Sequence, residues 1–241
     1  MLAGATSVQS NEVRGRSTRA IVSSNHEVFT KRTAFPRRQG NAWEPEDAVI
    51  SERIVVLGGT FDPIHAGHLH VAREARRALG AQIAVLIVSS AHCHRPPPHL
   101  DLRGRRGLVR LAIAGDASLT EGTQLGLGDD LVESIARLRA RSADLHVVFG
   151  ADSAERANRW GAAERLGEWA QLWVVPRAGH DAPGTGLTPL SIEATAVSAT
   201  QVRGLAMAHS SLAGLVPDGC VAEIERLYGH ARAGTWQSSS K

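Results

Sequence analysis

Residues 54–69 read IVVLGGTFDPIHAGHL. The apolar run Ile54–Leu57, followed by two glycines, predicts a buried β-strand. A helix is predicted over residues 67–79, because apolar side chains recur there at helical spacing and Gly80 follows them. The predicted buried face of that helix consists of Leu69, Ala72, Ala75 and Leu79. A strand, a glycine turn and a helix start, in this order, are typical of a site that binds phosphate.

The turn between this strand and this helix carries the residue types that such a site needs. Gly58 and Gly59 let the backbone pass close to a bulky anion, and the helix start offers N–H groups and a partial positive charge. His65 and His68 can donate hydrogen bonds to phosphate oxygens. The alternative is a tight turn with two surface histidines. The residues predicted to contact phosphate or nucleotide in this turn are Gly58, Gly59, Thr60, Phe61, His65 and His68.

Strand-like and helix-like patterns alternate along the rest of the chain. Apolar runs predict further strands at Ile83–Val88, Leu145–Phe149 and Leu172–Val175, and amphipathic patterns predict helices over residues 103–115 and 130–141. This alternation predicts an α/β fold, a Rossmann-like doubly wound parallel sheet whose ligands lie beyond the carboxyl ends of the strands. The inward-facing residues predicted for the two helices are Leu108, Leu111 and Ala112 in the first, and Leu131, Ile135 and Leu138 in the second.

A second candidate ligand segment follows the predicted strand that ends at Phe149. Asp152, two residues after Gly150, can accept a hydrogen bond from a ribose hydroxyl or an amide. Trp160 offers a face on which a flat aromatic ring can stack, although an ordinary packing role is equally open to it on the residues alone. The two nearby tryptophans, Trp169 and Trp173, are interpreted as packing residues.

A third candidate segment, residues 197–203, reads VSATQVR. Ser198 can cap a helix that begins at Ala199. That start would direct backbone N–H groups, the Thr200 hydroxyl and the Arg203 guanidinium toward one anion. A plain capped helix is the alternative, and an arginine three residues after the threonine favours the anion site.

These segments together resemble the nucleotidyltransferase superfamily that carries the His-x-Gly-His motif, here residues 65–68. The longer run over residues 58–65 resembles one branch of it, the bacterial nicotinate-nucleotide adenylyltransferases. Residues 150–160 and 197–203 are similar to the second and third signatures of that branch, so the match covers about residues 53–229. The resemblance implies transfer of the adenylyl group of ATP to nicotinate mononucleotide, with Mg²⁺ bound through the ATP phosphates.

The resemblance also implies a role for each matching residue. His65 would hold the α/β-phosphate region, His68 would act on the charge that develops at the α-phosphate, and Arg203 would steady the departing pyrophosphate; these three are the expected catalytic residues. The implied ATP-binding residues are Gly58, Gly59, Thr60, Phe61, His65, His68, Gly150, Asp152, Ser198, Thr200 and Arg203. The implied acceptor-binding residues are Thr60, His99, Trp160 and Arg177.

The acceptor side departs from the family pattern in two places. Leu100 follows His99 where the family has lysine, and no lysine lies between residues 32 and 240. Either a nearby arginine takes over the phosphate contact or the contact is lost. The segment 130–135 also lacks a tyrosine and a threonine of the family pattern. The arginines considered for the missing contact are Arg103, Arg105 and Arg106.

Composition narrows the classes of function further. The net charge of +3 at pH 7 does not indicate nucleic acid as a partner. Two cysteines make no disulfide framework and favour a reducing cytoplasm. No apolar run approaches the ~20 residues that span a bilayer, so no membrane partner is expected. The composition does not decide whether the chain forms a homo-oligomer. The run His92-Cys93-His94 with His99 invites a metal site. Successive residues of an extended chain face opposite sides, which does not suit a simple chelate. A mobile substrate loop is therefore favoured and no protein-held metal is expected.

The chain is expected to hold one folded domain. Residues 1–52 are polar and basic without a sustained period, which predicts a disordered extension; a transit peptide and a misassigned start are the alternatives. Residues 53–230 are assigned to the nucleotidyltransferase domain and residues 231–241 to a flexible tail. Two other functions compete with the first: a related adenylyl- or cytidylyltransferase with another phosphorylated acceptor, such as phosphopantetheine or a sugar or polyol phosphate, and a nucleotide-binding regulator without catalysis.

Overall fold

The computed structural model describes residues 53–90, 97–142, 144–159, 161–176, 187–193 and 195–229. The predicted extension at residues 1–52, the histidine pair at residues 92 and 94 and the tail at residues 231–241 lie outside these ranges. Within them, every helix is too short or too polar to cross a membrane.

Six parallel strands form a single sheet in the order β3-β2-β1-β4-β5-β6. The strands are β1 (Ile54–Gly59), β2 (Ile83–Val88), β3 (Leu119–Glu121), β4 (Leu145–Gly150), β5 (Gln171–Val175) and β6 (Thr188–Pro189). In the register, Ile54 of β1 lies opposite Ile83 of β2 on one side and opposite Leu145 of β4 on the other. The strand order therefore reverses between β1 and β4, which is where doubly wound sheets bind their ligands. The predicted fold class is confirmed.

Helices cover both faces of the sheet. They are α1 (Ala66–Ala78), α2 (Leu102–Ala112), α3 (Leu131–Arg139), α4 (Ala151–Arg159), α5 (Ala162–Gly167), α6 (Ala199–Met207) and α7 (Val221–Tyr228). Val55 and Leu57 of β1 pack in one apolar cluster with α1, α2, α6 and α7. Ile54 and Val56 belong to the cluster on the other face, with α3, α4 and α5. Because both faces are buried, the strands are continuously apolar, as the sequence indicated.

The first crossover agrees closely with its prediction. Helix α1 begins one residue before the predicted start and ends one residue before the predicted end. All four of its predicted inward residues are at most 8% exposed. The strand, turn and helix order on which the phosphate site depends is therefore confirmed.

Two sequence predictions need correction. Leu111 was expected on the buried face of α2 but is 39% exposed. The buried face is rotated toward Arg105, which is only 2% exposed because it bonds to buried carbonyl groups. The short edge strands β3 and β6 were missed, since Leu119–Glu121 and Thr188–Pro189 contain no apolar run.

Candidate active site

A cleft of about 620 Å³ opens at the carboxyl ends of β1 and β4. It lies at the reversal of strand order, where the sequence placed the ligand. Twelve of the predicted site residues line it, namely Gly58, Gly59, Thr60, Phe61, His65, His68, His99, Gly150, Asp152, Ser198, Thr200 and Arg203. The two other predicted residues, Trp160 and Arg177, lie outside the described residues. Three separate segments of the chain thus converge on one cavity.

Three helices direct their amino-terminal ends into this cleft. Gly67 and His68 from the first turn of α1, Asp152 from that of α4 and Thr200 from that of α6 all line it. Each start contributes a partial positive charge, and together they favour an anion. One N–H group is already used, because the Ala66 amide of α1 donates to the Leu215 carbonyl oxygen at 2.8 Å.

Close packing explains the glycines of the first turn. A Cβ atom on Gly59 would lie 2.9 Å from the ring of Phe61. Phe61 is 2% exposed and has a positive φ of 49°, which is rare for a residue with a side chain. A Cβ on Gly67 would lie 2.5 Å from Thr195 Oγ1 and 3.1 Å from the His65 ring. The glycine between the two histidines therefore keeps His65 in its place.

His65 and His68 form a stacked pair at the start of α1. Their ring centroids are 3.7 Å apart and the planes differ by 27°. The His65 backbone N–H donates to His68 Nδ1 at 3.3 Å, so His68 caps the start of its own helix. This bond places the ring proton of neutral His68 on Nε2. Phe61 packs edge-on against His68, with ring centroids 4.9 Å apart.

The electrostatics of the pair favour an uncharged His68. Burial, and then the neighbouring His65, hold the pKa of His68 well below its ordinary value of 6.5. At neutral pH the ring is therefore a neutral donor through Nε2–H in the ligand-free protein. A phosphate in the cleft would act in the opposite direction, because a nearby negative charge raises the pKa of a histidine.

The third segment is built as the sequence predicted. Ser198 caps α6, and its hydroxyl oxygen accepts from the Gln201 N–H at 3.2 Å. Arg203 Nη2 donates to Thr200 Oγ1 at 3.2 Å, and Nη1 donates to the backbone carbonyl of Asp62 at 2.6 Å. The three-residue spacing brings hydroxyl and guanidinium to one face of the helix. Arg203 thus joins α6 to the β1–α1 turn across the cleft.

Asp62 is a residue whose part the sequence analysis missed. Its carboxylate is 7% exposed and lines the cleft. Oδ2 accepts from the His99 N–H at 2.8 Å and from His99 Nδ1 at 3.2 Å. Oδ1 accepts from the Tyr228 hydroxyl at 2.7 Å and from the Leu100 N–H at 3.3 Å. The available signal was a carboxylate inside an otherwise apolar and glycine-rich turn, which needs partners if it is buried.

The arginines considered for the acceptor side do not reach the cleft. Arg105, one of the three arginines considered, donates to the carbonyl oxygens of Thr60 at 2.6 Å and Ser89 at 2.7 Å, so its guanidinium is taken up by the backbone beside the cleft. Arg106 Nε lies 3.7 Å from a carboxylate oxygen of Glu121. Among the described residues that line the cleft, the arginines are instead Arg203 and Arg156.

Arg156 is the second residue that the sequence analysis missed. It lies on α4, four residues after Asp152, and its Nη2 donates to Ser153 Oγ at 3.1 Å. Four residues make about one helical turn, so Arg156 follows Asp152 on the same side of α4. No sequence motif includes Arg156, and a single arginine on a polar helix is ordinarily predicted to be solvent-exposed.

Carboxylates are few in this site. The Asp62 carboxylate accepts four hydrogen bonds, from His99, Leu100 and Tyr228. Asp152 is exposed at the start of α4. In the part of the chain that the structure describes, no group of three histidine, cysteine or acidic residues could hold a metal ion.

A family model described as cytidylyltransferase-like matches residues 56–205. This chain belongs to that family of nucleotidyltransferases, as its motifs indicated.

Among its curated relatives is the probable nicotinate-nucleotide adenylyltransferase of Acidithiobacillus ferrooxidans, which is 30% identical over 200 residues, covering 68% of this chain and 89% of the relative. The protein of the same description from Cellvibrio japonicus is 31% identical over 204 residues, covering 72% and 97%. One from Pseudomonas putida is 30% identical over 202 residues, covering 72% and 92%. The resemblance drawn from residues 58–68 is confirmed.

Proposed function

We propose that this protein transfers the adenylyl group of ATP to nicotinate mononucleotide, giving deamido-NAD and pyrophosphate. The observation that carries the proposal is the convergence of three helix starts, two histidines and Arg203 on one cleft. The names of the curated relatives support the choice of reaction and acceptor. In the reaction, a phosphate oxygen of the acceptor attacks the α-phosphorus of ATP. The bond from that phosphorus to the bridging oxygen breaks, and pyrophosphate leaves.

Positioning and charge stabilisation are what the chain supplies. Phosphoryl chemistry of this kind needs two anions held in line and donors aimed at the charge that develops. His68, neutral and protonated on Nε2, donates to an oxygen of the α-phosphate. His65, stacked on it at 3.7 Å, holds the α/β-phosphate region. No protein nucleophile is required.

The departing pyrophosphate is assigned to the start of α6. Two bonds hold the Arg203 guanidinium, one to the carbonyl of Asp62 and one to Thr200, which leaves further N–H groups for phosphate oxygens. A planar fork fixed in this way suits an anion better than a mobile side chain, because less rotamer freedom is lost on binding. Ser198 shapes the same helix start.

Magnesium enters the proposal as part of the substrate, Mg-ATP. The scarcity of carboxylates in the described cleft fits an ion held by phosphate and water. When bound, the ion neutralises phosphate charge. Asp152 and the backbone of Gly58 and Gly59 are assigned to the nucleotide itself, at the ends of β4 and β1.

On the acceptor side, Thr60, His99, Trp160 and Arg177 remain assigned from the resemblance. Arg156 is the cation that we assign to the acceptor phosphate in place of the missing lysine, because it lines the cleft and the arginines around residue 105 do not. Arg156→Ala should lower kcat/KM for the acceptor about tenfold, the worth of one charge-assisted hydrogen bond. Arg165→Ala, an exposed arginine on α5, is the matched control.

One observation favours a second candidate function, transfer to another phosphorylated acceptor. Leu100 stands where the family has a charged residue; its amide bonds to Asp62 and its side chain packs on the core. A change of this kind alters what the acceptor side can recognise.

The acceptor can be identified by incubating purified protein with Mg-ATP and one acceptor at a time and measuring pyrophosphate release. The panel contains nicotinate mononucleotide, nicotinamide mononucleotide, phosphopantetheine and several sugar and polyol phosphates. Release with nicotinate mononucleotide is the expected result. Release only with another acceptor would move the assignment to the second candidate. ATP binding without release for any acceptor would overturn both.

A further inference from the structure

The two substrate sides of the cleft are joined through Asp62. Asp62 lies in the β1–α1 turn, and its side chain bonds to residues 99, 100 and 228 while its backbone carbonyl accepts from Arg203. We call Asp62 with His99, Leu100, Arg203 and Tyr228 the Asp62 cluster. Its members come from four segments that lie up to 166 residues apart in sequence.

Within the cluster, the two oxygens of the carboxylate fasten the acceptor segment. Oδ2 receives the His99 amide at 2.8 Å, and Oδ1 receives the Leu100 amide at 3.3 Å. Two amides on one carboxylate fix the backbone direction just before α2. His99, which is assigned to the acceptor, therefore takes its position from Asp62.

Tyr228 determines where the carboxylate itself lies. It ends α7, is 1% exposed, and donates to Oδ1 at 2.7 Å, the shortest bond that this carboxylate accepts. Burial, and then the bond to Asp62, raise the pKa of Tyr228, so its hydroxyl stays a donor across the usual pH range. Without that hydroxyl, Oδ1 would keep only the longer bond from Leu100.

Arg203 is joined to the cluster in a different way. Its short bond goes to the backbone carbonyl of Asp62 at 2.6 Å, whereas the nearest carboxylate oxygen is 4.0 Å away. Loss of the Tyr228 hydroxyl would therefore disturb the side chain of Asp62 and the acceptor segment more than Arg203. The two substrate sides should respond unequally.

We propose that Tyr228, acting through the Asp62 carboxylate, is a positioning residue that sets the acceptor side of the cleft. The proposal rests on the proposed function for the identity of the two sides. Neither residue needs to touch the reacting atoms. A residue on the last described helix would thereby govern acceptor recognition from outside the substrate contact surface.

The first test is Tyr228→Phe, which removes the hydroxyl and keeps the ring. We expect KM for the acceptor to rise roughly tenfold, the scale of one hydrogen bond to a charged group, and KM for ATP to change less than twofold. Asp62→Asn should have a larger effect in the same direction, because one of its atoms becomes a donor that faces other donors. An equal rise in both KM values would overturn the proposal.

A control separates positioning from general stability. Trp173→Phe removes another hydrogen bond that an aromatic side chain donates, from Trp173 Nε1 to His146 Nδ1 at 2.9 Å, on the strand β5. It should lower the melting temperature without changing the ratio of the two KM values. If Trp173→Phe raises KM for the acceptor as much as Tyr228→Phe does, the effect is one of stability and the proposal fails.

The second readout does not depend on activity. Hydrogen–deuterium exchange of a peptide that contains His99 and Leu100 reports the two amides that Asp62 receives; Pro97 and Pro98 contribute none. We expect faster exchange there in Tyr228→Phe, with wild-type exchange in β1 and β4. Wild-type exchange in that peptide would overturn the inference even if the protein is active. A wild-type protein inactive with every acceptor would instead overturn the proposed function and leave this readout to decide the inference.

Discussion

A histidine takes part in a polar network near each end of the sheet, and the two differ in how many of their ring nitrogens are hydrogen-bonded. Toward the amino ends of the strands, His146 of β4 is 3% exposed, and both of its ring nitrogens are bonded. Nε2 pairs with Asp144 Oδ1 at 2.8 Å, and Nδ1 accepts from Trp173 Nε1 at 2.9 Å. At the carboxyl ends, His68 is half-buried, and in the described residues its one hydrogen bond, from the His65 amide, uses Nδ1.

The difference shows how a fold separates stability from chemistry. A histidine with both nitrogens bonded to protein groups has no capacity left for a ligand, and removing it leaves buried partners unsatisfied. A histidine with one nitrogen bonded is held in place and still offers a donor. The same residue type is therefore structural at one end of the sheet and assigned to phosphate at the other.

The largest expected effect is a loss of activity on substitution of His68, which is not expected for His146. His68→Ala should lower kcat by about 10²–10³-fold, the usual loss for one donor to a developing oxyanion, with a small change in the free energy of unfolding. Steady-state pyrophosphate release measures it. His70→Ala, on the same helix, is the control, because its ring bonds to the Glu193 carbonyl and does not line the cleft. Full activity in His68→Ala would remove the functional half of the comparison.

The converse effect is expected at the other end of the sheet. His146→Ala should lower the free energy of unfolding by about 2–4 kcal/mol, since it leaves a cavity where a buried ring lay and removes one hydrogen bond each from Asp144 and the partly buried Trp173. Its activity per folded molecule should stay at the wild-type level. Denaturant unfolding measures the loss, and a stability equal to wild-type would show that this network does not support the fold.

A third change tests whether His65 depends on its neighbour. Gly67→Ala places a methyl group where Thr195 Oγ1 and the His65 ring lie, and overpacking of this kind costs about 1–3 kcal/mol. We expect lower kcat together with lower stability. Gly107→Ala is the control, because a Cβ there meets nothing within 4 Å. If Gly67→Ala behaves like its control, the close packing around His65 is not needed.

The smallest effect is a difference in pH dependence. The pKa of His68 is lowered in the folded protein, so the unfolded chain binds its proton first as pH falls below 6.5. The free energy of unfolding therefore does not depend on His68 protonation above pH 6.5, and it decreases as the pH falls below 6.5. His68→Gln should show a shallower decrease across that interval.

Asp144, at the amino ends of the strands, provides the comparison for this pH effect, because it titrates in a different pH range. Burial would raise the pKa of Asp144, but bonds from Arg53 and His146 outweigh it and lower the pKa below 3.8, so this contribution is lost only in stronger acid. Unfolding at a series of pH values measures both. Parallel curves for wild-type and His68→Gln between pH 6.5 and 4 would contradict the assignment.

Most of the fold could be predicted from local sequence patterns. The helix of the first crossover was predicted to within one residue at each end because strand and helix periods differ and glycine marks the turn. The helix that Ser198 caps was predicted to begin at Ala199, where it does begin. Short edge strands such as Leu119–Glu121 were missed because their pairing, not their composition, makes them strands.

The sequence by itself determined the parallel sheet, the place of the cleft and twelve of the residues that line it, because each of these follows from the order of residues close together in the chain. Only the tertiary structure decided that Arg105 bonds to carbonyls instead of phosphate, that Arg156 lines the cleft, and that Asp62 receives Tyr228. Those contacts join residues far apart in sequence. Which donor meets which acceptor then depends on how the helices pack against the sheet, and the periodicity of one segment contains no information about it.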